Sequence, residues 1–594
     1  VAIGVDAMAA NTTGNQNVVV GSLALDANTT GIYNVAIGHL ALSGNTTAGK
    51  NVAVGHAALR FNSTGANNVA LGTNALTANT TANQNVAVGY DALASTTTGA
   101  QNTAVGGYAL DTNTTGTQNV AVGYAALDAN TTADNNTGVG YHALKANTTG
   151  ENNVSMGSQS LDANTTGSDN TAIGKSSLGN NTTGSKNTAL GWGALGQNTT
   201  TSNNTAVGYN CLGASTTGTS NTAVGYQAAD ANTTGAHLTA IGQGALGSNT
   251  GGNSNTAVGK EALTNHTTGS YNTAVGKDAL YANTTASNCT AIGHDALTSN
   301  TTGATNTACG EAAMKQNTTA SNNAAFGYRA LEENTTGHSN TALGTEALRE
   351  NNVGLRNTAV GYVALLNATD TGSGTPNDNT AVGYYALLNC THGYSNVALG
   401  SWSGDNMTTG YENVYLGDNA GNTHSTGYRC VYIGRANDCS AGSANNEIVI
   451  GAGLGAKGSE TAFIGGTNGV YNEANQSTFQ TTSDVRIKKN VIDNTSGLDK
   501  INQIRVRNFE YRTPDEIDYS EFAEGVNPKS IPINVEGVQL GVIAQEIEEV
   551  LPEIVNTQTT GVKTVDPDSL TWYLVNAVKE LSAENTALKA RLDA

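Results

Sequence analysis

The chain reads as an all-β parallel β-solenoid of 17-residue coils, followed by a smaller α+β unit that ends in a helix. Three observations lead there. A glycine recurs every 17 residues from Gly4 to Gly361 without a miss, and resumes after a five-residue slip at Gly383, Gly400, Gly417, Gly434 and Gly451. The last step, to Gly465, is 14 residues. Glycine makes up 72 of the 594 residues, and charged residues only 12%. The pattern stops near residue 480: residues 1–482 hold 41 charges, whereas residues 483–594 hold 31 in less than a quarter of that length. A short strict period means that one repeat cannot bury its apolar face alone, so the repeats must stack.

Each repeat divides in order. Asn102-Thr103-Ala104-Val105-Gly106 is short, partly β-branched and closed by glycine, the pattern of a strand and a turn. Ala109-Leu110 supplies a second apolar pair, expected as a second short strand. Asn113-Thr114-Thr115-Gly116 is a turn, because Asn and Gly both tolerate positive φ. Stacked coils place identical residues over one another, so Asn ladders can satisfy each other's amides. At the interstrand spacing of roughly 4.8 Å, about 28 such coils give a shaft of roughly 130 Å. Each coil is expected to bury one Val or Ile, one Leu and two Ala. That is thin for a lone chain, so self-association is expected.

Composition excludes several functions. A formal charge of −20, with 14 basic residues in the first 482, argues against nucleic acid as partner. No run of 18 apolar residues is present, so no membrane span is expected. No C-x-x-C occurs among the six cysteines, and no metal or cofactor is expected. Cys309 replaces the Val of A-V-G and is expected as a small core residue, and Cys289 and Cys430 replace the leading Asn. The chain begins inside a repeat without Met, and is read as a fragment or processed product.

The side chains on the coils are read as structural. Tyr follows the glycine at Tyr90, Tyr124, Tyr141, Tyr209, Tyr226, Tyr328, Tyr362 and Tyr384, with His39, His56, Trp192 and Lys260 at the same place. Such a column can stack on sugar rings; filling a turn or packing between chains is the reading adopted. Asn-Thr-Thr matches the glycosylation acceptor but is needed in every coil as turn chemistry. Uniform coils argue against a hydrolytic pair of carboxylates, and the slip at 367–378 is the one expected break in symmetry.

The segment from Ile448 to Gly465, Ile-Val-Ile-Gly-Ala-Gly-Leu-Gly-Ala-Lys-Gly-Ser-Glu-Thr-Ala-Phe-Ile-Gly, resembles the head repeats of trimeric autotransporter adhesins. That resemblance implies a left-handed parallel β-roll and a homotrimeric rod.

The C-terminal part has its own grammar. It opens Thr481-Thr482-Ser483-Asp484-Val485-Arg486-Ile487-Lys488-Lys489-Asn490, continues through Gly541 to Val555, and carries Val565-Asp566-Pro567-Asp568-Ser569-Leu570. Ile543, Ile547, Val550 and Leu551 have helical spacing, and Pro552 stops that helix. Leu574, Leu581 and Leu588 lie seven apart, as do Val578, Asn585 and Leu592. That is a short coiled-coil seam with one polar core position. A seam of this kind can align strands whose strict repeat leaves register undefined.

These three motifs in this order resemble the endosialidase-type intramolecular chaperone found at the C-termini of phage tail fibres and tailspikes. The stretch from Tyr511 to Ile533 reads as an insertion outside the resemblance. The resemblance implies that Ser483 is a nucleophile and Lys488 its base, with one autoproteolytic cut between Thr482 and Ser483. A Ser–Lys pair needs a neutral Lys, which burial supplies. The plainer alternative is a helix cap at Ser483-Asp484 and a solvated Lys488.

The domain reading is a shaft over 1–465, a neck over 466–482 and a self-releasing chaperone over 483–594. The function read from all this is a trimeric tail fibre of a virion, assembled in the host cytoplasm, that contacts a host surface receptor, either a glycan or a protein. A bacterial cell-surface adhesin is the alternative, and a polysaccharide-degrading tailspike a weaker one.

Overall fold

The computed structural model describes residues 1–369, 374–465, 470–472, 488–522, 536–557 and 561–594. It separates into two compact units, Val1–Thr481 and Thr482–Ala594.

The first unit is a parallel β-solenoid of about 27 coils. Strands β1 (Ala2–Ile3) to β28 (Ala462–Ile464) form one sheet, each strand parallel to the next, in register 17 residues on as in Val120↔Thr137 except for one step of 22 and a last step of 14. A further strand, β29 (Val470–Asn472), pairs antiparallel with β28. The five-residue slip does not disturb the ladder, since Thr358 pairs with Thr380.

Each coil contains one three-residue strand, not two. The coil from β8 (Val120–Val122) shows why. After the strand, Gly123 takes φ +136°, a region that only glycine enters freely. A Cβ there would lie 2.4 Å from the carbonyl oxygen of Gly140 in the next coil. Ala125 and Leu127 then take left-handed φ of 52° and 54°. The expected second strand is therefore a run of turns, although Leu127 N–H still donates to Ala143 O of the next coil at 2.9 Å. The left-handed conformation explains a sequence detail. The Leu position admits Met8, Ala229 and Met314 but never Val, Ile or Thr in the coils from Gly4 to Gly417, because β-branched side chains fit left-handed backbone worst.

The core is smaller than expected. Ala121, Ala126 and Leu127 are fully buried, while Val120 is half-buried and Val122 is exposed. The middle strand residue faces inward and its two neighbours face out. The Val or Ile of A-V-G is thus a surface residue, and Cys309 at that position is partly exposed rather than in the core. The six cysteines are free thiols, and Cys289 and Cys430 are buried in the Asn column.

Two buried Asn ladders complete the interior. Asn119 Oδ1 accepts from Asn136 N–H at 2.9 Å, and Asn119 Nδ2 donates to Ala133 O at 2.8 Å. In the second ladder Asn130 Nδ2 donates to Asn113 Oδ1 at 2.9 Å and to Ala133 O at 3.1 Å. The Thr that follows Asn130 bonds onward too, Thr131 Oγ1 to Thr148 O at 3.2 Å. The Asn of Asn-Thr-Thr is fully buried, as at Asn28 and Asn130, so its amide serves the coil and not a glycan.

Near its C-terminal end the solenoid changes its packing. Tyr415 and Tyr432 occupy the buried Ala position and stack at 5.7 Å. Gly404 and Gly421 occupy the Leu position, and a Cβ at Gly421 would lie 2.4 Å from the Tyr415 ring. Volume moves from one wall of the coil to the other. The Tyr415 hydroxyl meets His424 Nδ1 at 2.6 Å, and Tyr432 donates to buried Glu447 at 2.8 Å.

The second unit is α+β. Helix α1 is Leu498–Ile501, α2 is Ala544–Val550 and α3 is Pro567–Leu592. Two antiparallel pairs accompany them: β30 (Arg507–Phe509) with β31 (Gln539–Gly541), and β32 (Val555–Thr557) with β33 (Lys563–Val565). Its core is Ile547, Leu551 and Ile554. Among the described residues no helix is long and apolar enough to cross a membrane.

Candidate functional site

Of the expected cleavage group, Thr482 and Ser483 lie outside the described residues, and Lys488 is exposed. The distance between Ser483 and Lys488 is therefore not part of the described structure. Other parts of the second unit are described. The Asp-Pro-Asp-Ser-Leu motif starts α3: the Asp566 carboxylate accepts from Asp568 N–H at 3.0 Å, and Pro567 fills the first helical position. The helix starts seven residues before Leu574 for that reason. Long-range bonds between its elements hold the unit together. Lys500 Nζ donates to Val550 O at 2.8 Å at the end of α2, and Leu498 N–H donates to Glu580 at 2.7 Å. Asn576 Nδ2 reaches Asn494 O at 2.8 Å, and Lys563 pairs with Glu548.

Along α3 the expected seam is on the surface. Leu574, Val578, Leu581, Leu588 and Leu592 are all exposed, and Ala577 alone is buried. A second exposed apolar column runs along the solenoid at the third strand position, through Val122, Met156, Leu190, Ile241, Phe326 and Leu343. Leu71 and Leu343 there are 46% and 49% exposed. The solenoid column could not be recognised from strand patterning alone, because V-A-V does not say which residues point inward.

The Tyr column is also on the surface, and its rings stack from coil to coil. Tyr124 and Tyr141 lie 5.9 Å apart, Trp192 and Tyr209 4.9 Å, and Tyr209 and Tyr226 5.1 Å. A second stack, Tyr394–Tyr411–Tyr428, was not anticipated and has spacings of 4.8 and 4.9 Å. The slip, expected as a break in symmetry, contains residues 370–373, which lie outside the described structure. Asp278, His294 and Asp295 gather ligand atoms within 4.8 Å of one another. Lys277 and Lys315 pair with those carboxylates at 2.5 and 2.9 Å, placing ammonium groups where a cation would sit.

Residues 483–556 match the peptidase family described as chaperone of endosialidase. The match begins at Ser483, and its span includes 511–533, the insertion-like stretch for which the sequence carries no resemblance. The Asp-Pro-Asp-Ser-Leu motif and most of α3 lie beyond the matched segment. No curated protein matches the chain. The molecule is therefore a long parallel β-solenoid followed by a unit that contains a segment similar to the endosialidase chaperone family.

Proposed function

We propose that three copies of this chain form the fibrous, host-contacting part of a phage tail fibre, and that the C-terminal domain assembles the trimer and then releases itself. The observation that carries the reading is a uniform solenoid with an exposed apolar column, followed directly by a chaperone-family segment. Three solenoids that bring their third strand positions together would bury that column at roughly 25 cal/mol per Å² of apolar surface. The α3 seam would join in the same trimer. The solenoid belongs to the left-handed β-roll type, and its boundaries are 1–465 for the shaft, 466–482 for the neck and 483–594 for the chaperone. The 14-residue step from β27 (Ile448–Ile450) to β28 favours a second reading, a bacterial surface adhesin that uses the same chaperone.

Release takes one turnover. Lys488 accepts the Ser483 hydroxyl proton, and Oγ attacks the Thr482 carbonyl carbon. The peptide C–N bond breaks as the proton passes to the Ser483 nitrogen, which leaves an ester. Water then hydrolyses the ester, so Thr482 ends as a carboxylate. The exposed Lys488 must lose water to act as a base, and trimer packing would supply that desolvation.

Mass spectrometry of the purified protein tests the cut. Wild type should give fragments that meet at 482/483, while Ser483→Ala and Lys488→Ala should each give the intact 60.2 kDa chain. Cleavage in either variant removes the dyad. Deleting 483–594 before expression should leave unassembled chains, and light scattering that shows soluble trimers from that truncation contradicts the chaperone role.

A further inference from the structure

In a repeat this regular, a departure that the backbone does not require is informative. At the fifth residue after the strand glycine, successive coils carry Asp111, Asp128, Lys145 and Asp162, then Gly179, Gly196 and Gly213, then Asp230. None of these three glycines has positive φ. A Cβ at Gly179 would meet its nearest neighbour at 3.3 Å and one at Gly196 at 3.1 Å, contacts met by small adjustments, while one at Gly213 would lie 2.4 Å from Asn210 Oδ1, the movable end of a side chain. The same place holds Asp162 and Asp230 in the two flanking coils, and Lys145 and Thr264 farther along. Glycine is not needed here for the turn, and its effect is to remove three side chains in a row.

The result is a groove of about 340 Å³. Glycines form its floor, Asp162, Asn180, Gln197 and Asn210 its polar walls, and Trp192 its aromatic wall. Trp192 is 47% exposed and stacks within 18° of parallel on Tyr209, which stacks within 10° on Tyr226. Asn180 Nδ2 donates to Gln197 Oε1 at 3.0 Å, which orients both amides along the rim. Burial raises the Asp162 carboxyl above its ordinary range.

A flat ring beside amides and one carboxylate suits a ligand with an apolar C–H face and a polar edge of hydroxyls. A pyranose has both. The groove lining contains no Lys, Arg or His, and Lys175 one coil before Trp192 lies outside it. A phosphate backbone or an acidic sugar therefore finds no counter-charge in the lining.

We infer that this groove binds a short neutral oligosaccharide, with Trp192 as the stacking platform and the Asp162, Asn180 and Gln197 side chains as hydroxyl partners. The inference rests on the recognition role proposed above for its purpose, and on the groove alone for its chemistry.

The test uses the purified full-length protein in calorimetric titrations. Probes are maltohexaose, an N-acetylglucosamine hexamer, and mannose and galactose oligomers, with a sialic acid tetramer and a thymidine oligonucleotide as charged comparisons. At least one neutral probe should saturate. Trp192→Ala and Gly196→Asp should each weaken it roughly tenfold or more, and Tyr271→Ala should not. Gly196→Asp restores a residue that other coils carry at this place, so its thermal unfolding should match wild type, and Trp192→Ala serves if it does not. Three results would overturn the groove: no neutral sugar bound by folded wild type, binding that survives both variants, or binding confined to charged probes. Adsorption to a panel of bacterial cells separates the levels. Adsorption unchanged by Gly196→Asp sinks the groove and keeps the recognition role. Wild-type adsorption to none of the cells counts against the recognition role, while the titration still decides the groove.

Discussion

The two units hold themselves together in opposite ways. In the solenoid, the bonds between coils join equivalent or adjacent positions one period apart and recur from coil to coil, as Asn136 to Asn119 and Thr131 to Thr148. In the C-terminal unit the bonds are unique and long in sequence, as Leu498 to Glu580 and Lys500 to Val550. Interchangeable coils can pair in several registers with similar energy, whereas unique contacts admit one arrangement. A solenoid of this kind carries strength without an address. The difference explains why a repetitive shaft needs a non-repetitive partner during assembly.

Several changes would break or sharpen that contrast. The largest effect should come from Gly123→Val, which forces a β-branched residue to φ +136° and places Cβ against Gly140 O. A loss of roughly 3 kcal/mol is expected from strain and displaced backbone. Proteolysis at that coil should report it, and an unaltered digestion pattern would contradict the backbone account. Asn119→Ala comes next. It leaves Asn136 N–H without a buried partner and Ala133 O with Asn130 Nδ2 as its remaining side-chain donor, at about 1–3 kcal/mol by unfolding in denaturant.

Leu127→Ile is subtler. It keeps volume but puts a β-branched side chain in left-handed backbone, so about 1–2 kcal/mol should be lost. Leu71→Ile, at the outward strand position, should change thermal unfolding hardly at all. Equal effects at the two sites would refute the conformational explanation of the Leu column.

A smaller effect is tied to pH. Burial lowers the pKa of His424, which faces the Tyr415 hydroxyl, the Tyr432 ring, Ala444 O and Glu447. The unfolded state then holds more protons below about 6.5, so stability is complete above that pH and falls as pH drops toward the lowered folded value. His424→Asn, the residue other coils carry, should flatten that part of the profile. The smallest effect is expected from excising residues 107–123, one full period. Gly106 then joins Tyr124 in register, and melting should stay near wild type while the shaft shortens by roughly 4.8 Å.

Much of this was legible. The strand and its closing glycine, the Asn ladders, the stop of α2 at Pro552 and the α3 seam all follow from residue type and spacing. Other features were not. Ala109-Leu110 read as a strand, because apolar pairs between turns usually are; the left-handed Leu showed only in the absence of Val and Ile. Cys309 read as core, because a small apolar residue in a strand usually is. Asp566 read as part of a family motif before its role as a helix cap was seen. The groove beside Trp192 was hidden because glycine in a glycine-rich repeat attracts no notice.

The sequence by itself determined the period, the parallel stacking, the glycine column and the division near residue 480, since each depends on residue identity at fixed spacing. Only the tertiary structure decided which side of the coil is inside. A three-residue V-A-V strand can bury its middle or its ends, and the narrow interior resolves that choice. At Gly138 a Cβ would lie 3.4 Å from Leu127, so the space opposite Leu accepts Ala and little more. Where Tyr415 takes that space, glycine has to replace Leu. Inside and outside are thus set by volume shared across the coil, which no single position records.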